Sequence, residues 1–124
     1  MKDLSFLQTT VRLSLRNPNA SSSDHSEFGY GVAKLCEGVR DFGSLNRAAK
    51  NMGMAYSKAW RIVKGTEDSF GIALLNRDGA HGSTLTEEGN LLLDAYLELC
   101  KCQSEQAQAA FLAAVGDAAG KRGL

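Results

Sequence analysis

Two short helical patterns between Leu45 and Phe70 flank Gly53, and that spacing leaves the segment few ways to fold. Leu45, Ala48, Ala49 and Met52 share one face of the first pattern, and Ala59, Val63, Thr66 and Phe70 line the second. Gly53 supplies the turn between them. The paired alanines let a second helix approach closely and cross steeply, which is the outline of a helix-turn-helix. The same stretch, Gly43 to Thr66, carries five positive charges and no negative one: Arg47, Lys50, Lys58, Arg61 and Lys64. The whole chain has 14 basic and 14 acidic side chains, so the asymmetry is local and implies a directed attraction for a polyanion on one face.

The flanking segments extend this outline. Val11, Leu13 and Leu15 alternate with Arg12, Ser14 and Arg16, the period of a half-buried strand that Asn17-Pro18-Asn19 stops. Ala20 to Glu27 is small and polar and reads as a surface loop. Val32, Leu35, Cys36, Val39 and Phe42 form one apolar stripe of a helix that Gly43 ends, and Ser44 stands where the next helix needs an N-cap. The third helix begins near Ala55, tolerates Gly65 at roughly 1 kcal/mol relative to alanine, and ends at Gly71. Ile72 to Arg77, the turn signal Asp78-Gly79 and Ser83-Thr84-Leu85 read as a hairpin. Three helices followed by a hairpin is the winged-helix order.

Thr86 with Glu87 and Glu88 marks a further helix start, and nothing breaks that helix before about Val115. Its apolar positions exceed one stripe. Leu92, Tyr96, Leu99 and Cys100 make one face, Leu93 and Leu97 broaden it, and Ala107, Ala110, Phe111 and Ala114 follow. The surplus face points to a second copy of the chain, with Leu92, Tyr96, Leu99 and Phe111 as dimerisation residues. The expected fold is therefore mainly α: a winged helix-turn-helix with an N-terminal strand and a long C-terminal dimerisation helix. Residues 1–115 form the domain, and 116–124 a frayed tail.

Composition narrows the function classes. At 124 residues, 44% apolar and 7% aromatic, the chain has material for one domain with a small core. An odd count of three cysteines opposes a disulfide framework, and a lone Cys100-x-Cys102 pair, far in sequence from His25 and His81, is a poor metal site. The thiols are expected to be reduced and the protein cytoplasmic. Neither a signal peptide nor a membrane span is expected, since Met1 to Val11 lacks an apolar core and no apolar run nears 18 residues. Glu87-Glu88 and Asp94/Glu98 pair acids, but helix-start and surface roles account for them. No Gly-rich phosphate loop follows a strand, so neither catalysis nor a cofactor is expected.

Gly43-Ser44-Leu45-Asn46-Arg47-Ala48-Ala49, Met54-Ala55-Tyr56-Ser57-Lys58-Ala59-Trp60, Gly71, Leu74-Leu75 and Leu85-Thr86-Glu87-Glu88-Gly89 together resemble the DNA-binding domain of ModE-type molybdate-responsive regulators, relatives of the LysR-type winged helix-turn-helix proteins. The resemblance covers about Gly29 to Leu99. It implies a dimeric transcription regulator whose helix around Tyr56 to Lys64 enters the major groove of a palindromic operator in double-stranded DNA, while the hairpin near Asp78 to Ser83 lies against the backbone. The family often has serine where Ala55 stands, so the third helix lacks that cap. Full-length ModE-type regulators carry molybdate-binding domains after the long helix. The sequence stops there, and no direct molybdate sensing is expected of it.

Within that frame the expected DNA-binding residues are Ser44, Arg47, Tyr56, Ser57, Lys58, Arg61, Lys64, Arg77 and His81. Lys58, Arg61 and Lys64 recur every three residues and keep to one broad side of their helix. Arginine can donate to guanine O6 and N7 together while lysine mostly neutralises phosphate, so Arg61, with Lys58 beside it, suits base readout. Ser44 is foremost a cap, and Trp60, bordering the apolar face, is expected to pack. Two other functions fit the same residues: a winged helix kept for protein contact after losing DNA binding, and a regulator that holds a small oxyanion at its dimer interface.

Overall fold

The computed structural model describes residues 3–20, 26–77 and 82–121. Its elements are α1 (Tyr30–Phe42), α2 (Leu45–Asn51), α3 (Tyr56–Phe70), β1 (Leu75–Arg77), β2 (Ser83–Leu85) and α4 (Glu87–Lys121). The chain divides into two compact units, Leu13–Tyr96 and the residues up to Arg12 with the part of α4 from Leu97.

In the first unit the expected helix boundaries hold for stated local reasons. Gly43 and Gly71 end α1 and α3 in the left-handed conformation, φ 69° and 70°. The Ser44 hydroxyl accepts the Arg47 amide at 3.2 Å and so caps α2. Gly53, at φ 67°, makes the α2–α3 turn. At the α1–α2 crossing a Cβ on Gly38 would lie 2.5 Å from the Ala48 Cβ, so the small residues are what permits the approach. Val32, Leu35, Cys36, Val39, Leu45, Ala48, Ala49, Ala59 and Val63 meet in the core. Phe42 departs from its stripe. It is 37% exposed at the last turn of α1, where the Arg47 guanidinium lies over its ring at 5.6 Å.

β1 and β2 pair antiparallel, Leu75 with Leu85 and Arg77 with Ser83. Two buried side chains fasten this hairpin. Glu67, near the end of α3, accepts the Leu74 and Leu75 amides on one carboxylate oxygen at 2.7 and 3.2 Å. Thr86 accepts the Gly89 amide at 2.9 Å, capping α4, and donates its hydroxyl to the Ala73 carbonyl at 2.6 Å.

The alternating N-terminal segment is extended, with Leu13 and Leu15 turned partly inward, but its pairing is limited to one antiparallel bridge between Leu15 and Phe28. Phe28 is fully buried and meets the Tyr96 ring edge-on at 5.3 Å, and the Tyr96 hydroxyl donates to the Leu13 carbonyl at 2.7 Å. Tyr96, expected at a dimer contact, is therefore a core residue. Its stripe on α4 is Gly89, Leu93 and Tyr96; Leu92 and Phe111 are half-buried and Leu99 is exposed. In the second unit the Thr9 amide and hydroxyl both donate to the Gln108 side-chain carbonyl, which ties the N-terminal residues along α4. The helix passes Val115 and continues to Lys121, because alanines on both sides of Gly116 favour helix enough to carry it through.

The core also shields a thiol. Burial pushes the Cys36 pKa up to about 12, whereas Cys102 is exposed. At pH 8, a thiol reagent such as Ellman's reagent should modify Cys102 within minutes and Cys36 only on unfolding. Equal rates for the two would contradict this packing.

Candidate nucleic-acid interface

The face of α3 turned away from the core collects the expected residues. Its core side is Ala59, Val63 and Thr66, each under 2% exposed. At about 100° per residue, the opposite arc runs Trp60, Lys64, Ser57, Arg61, Lys58. Ser57, Lys58 and Arg61 are exposed, and Tyr56 is 49% exposed at the first turn. Ala55 gives α3 no side-chain cap, and no acidic residue stands in its first turn. The positive end of the helix dipole is thus offset by no carboxylate of its own.

Lys64 is not solitary. Its ammonium lies 3.2 Å from the Asp68 carboxylate, one turn on, with side chains 44% and 62% exposed. Such an exposed pair contributes little, so Lys64 can exchange Asp68 for another anion. Arg40, at the end of α1, is engaged with α4. It bonds Asp94 at 2.9 Å and Asn90 at 2.8 Å, pinning the end of α1 to α4.

The other expected residues lie off α3. Ser44 and Arg47 are at the start of α2, with Ser44 used as the cap and Arg47 over Phe42. Arg77 ends β1, opposite Ser83. His81 falls outside the described residues.

Two features escaped the sequence reading. Trp60, expected to pack, is covered over more than half of its surface yet 38% exposed, and with Tyr56, 49% exposed one turn earlier, it makes an aromatic row at the border of the outer face of α3. The tyrosine and tryptophan four residues apart were the available signal. The second feature is the seat of the hairpin. The Ser83 amide donates to the Gly43 carbonyl at 2.9 Å, and Gly82, at φ 105°, lies so close that a Cβ would collide with the same oxygen. Only a three-dimensional neighbour distinguishes this glycine from an ordinary turn glycine.

Among the described residues no group of three or more His, Cys, Asp or Glu side chains could hold a metal, and no helix is long and apolar enough to cross a membrane.

Three helices, a two-stranded hairpin and a basic outer face on the third helix define a winged helix-turn-helix. Residues 33–90 match the profile described as bacterial regulatory helix-turn-helix protein, lysR family. Similar solved structures include a crystal structure of a CbnR_DBD–DNA complex, 27% identical, with a TM-score of 0.54, covering 64% of this chain and 93% of that one. Another is VV2_1132, a LysR family transcriptional regulator, 26% identical, with a TM-score of 0.51. That match covers 63% of this chain and 28% of VV2_1132, so the shared part is a minor portion of that regulator. No curated protein sequence matches the chain significantly.

Proposed function

We propose that the chain binds double-stranded DNA sequence-specifically as the DNA-binding part of a transcription regulator. The observation that carries this reading is the set of exposed Ser57, Lys58 and Arg61 with half-buried Lys64 on one face of α3, in a stretch similar to LysR-type helix-turn-helix proteins. Arg61, with Lys58 beside it, reads base edges, Lys64 neutralises a phosphate, and the uncapped start of α3 favours a phosphate nearby. The finer likeness to ModE-type regulators rests on the run from Ala48-Ala49 to Ala59-Trp60, and no molybdate response is part of the reading.

The regulator acts as a homodimer. Leu97, Leu99 and Leu112 on the part of α4 from Leu97 are 37%, 38% and 41% exposed, apolar side chains that a second copy would cover. Two α3 helices then meet an imperfect palindrome with half-sites about 34 Å apart or a multiple of that.

A competition assay between a selected duplex and a scrambled one, at two salt concentrations, tests this. Arg61→Ala should weaken the selected site by roughly 1–3 kcal/mol and the scrambled duplex little. Lys64→Ala should weaken both alike and flatten the salt slope by about one, while Asp68→Asn, which frees Lys64, should strengthen both. A folded protein that retains no duplex at low salt would refute DNA binding and favour the protein-contact function.

A further inference from the structure

We infer that Tyr56 and Trp60 read thymine, by burying the base's 5-methyl group against their rings, beside the guanine met by Arg61. The inference rests on the DNA-binding reading and adds which bases the site selects. Both rings are partly exposed, 49% and 38%, one helical turn apart, at the border between the core side of α3 and its basic arc. They form an apolar row along one edge of that arc, and Ser57, Lys64 and Arg61 form the polar rest of it. A helix lying in the major groove must bring both rows against base edges.

The chemistry then leaves few partners. Base edges in the major groove present hydrogen-bond donors and acceptors, and the thymine methyl is the one apolar group among them. An aromatic surface set against amino or carbonyl edges would strip their water and return no bond, which disfavours those bases. Against a methyl it removes apolar surface from water on both sides. Trp60 suits the task because more than half of its surface is already covered by the fold. A ring held in this way loses little rotamer freedom when a base arrives. Tyr56, at the first turn, is the more exposed and reaches the neighbouring step.

Deoxyuridine tests this directly, because it lacks only the 5-methyl and keeps every hydrogen-bonding group of thymidine. In the duplex the protein prefers, each thymidine of a half-site is replaced singly and affinity is measured. At one or two positions the wild-type protein should bind about fourfold more weakly per methyl removed. At those same positions Trp60→Ser or Tyr56→Ser should bind the thymidine and deoxyuridine duplexes equally. Tyr56, being half exposed, keeps the test valid should Trp60→Ser unfold. A preferred duplex indifferent to every deoxyuridine, or a methyl sensitivity that survives both substitutions, overturns the inference and leaves DNA binding standing. A chain that prefers no duplex overturns both.

Discussion

Glu67→Ala is expected to lower the unfolding free energy by about 2–5 kcal/mol, because it strands two buried amides at once. The carboxylate is 7% exposed and accepts from Leu74 and Leu75 on a single oxygen. Alanine offers no acceptor, and a buried N–H without a partner costs roughly 1–3 kcal/mol. Glu67→Gln keeps a carbonyl oxygen that can reach both amides, so it should lose only the charge-assisted part, about 1 kcal/mol. Urea titration followed by circular dichroism gives the comparison. Hydrogen exchange adds locality: the Leu74 and Leu75 amide protons should exchange faster in the alanine variant before other core amides do. Equal urea midpoints for wild type and Glu67→Ala would mean that the carboxylate does not hold the hairpin. Since β1 begins at Leu75, a weakened anchor would also loosen the wing beside the proposed DNA-reading helix.

Phe28→Ala should be at least as severe, at about 3–5 kcal/mol. The ring is fully buried, ends the polar N-terminal stretch, and packs edge-on against Tyr96. Removing it leaves a cavity beside Tyr96 and the Leu15 bridge in the core of the first unit. The melting temperature should fall by about 10–20 °C. A fall of only a few degrees would show that the ring contributes little. Tyr96→Phe isolates the hydroxyl bond to Leu13 and should cost about 1 kcal/mol. The two changes should not add, since the rings touch.

These residues also show where the sequence was readable. Gly43, Ser44, Gly53, Gly71 and Thr86 act through neighbours within a few residues, so their capping and turn roles follow from local chemistry alone. The basic face of α3 was legible for the same reason, since helical period alone puts Lys58, Arg61 and Lys64 on one side. Glu67 and Tyr96 were not legible in this way. A glutamate one residue from an aspartate looks like surface charge until Leu74 and Leu75 are folded beneath it. Tyr96 shares its helical pattern with exposed leucines, and only Phe28 and Leu13, brought from far back in the chain, decide which way it turns. Phe42 and Trp60 fail similarly: each lies at the border of an apolar stripe, where small rotations settle exposure and periodicity cannot. The N-terminal alternation gave the right inward face and too much strand, because a single bridge at Phe28 was the only partner available to it among the described residues.

The contact of Gly82 and Ser83 with the Gly43 carbonyl sets a rule for engineering. Gly43 closes α1 through its amide and receives the returning strand of the hairpin on its carbonyl oxygen, so helix end and hairpin are mechanically one joint. A hairpin transplanted from another winged helix, to retune backbone contacts, would seat properly only if it brought a glycine at position 82. With any larger residue there the graft would tilt away from the helices, and its tip would be carried away from the face of α3 proposed to meet DNA.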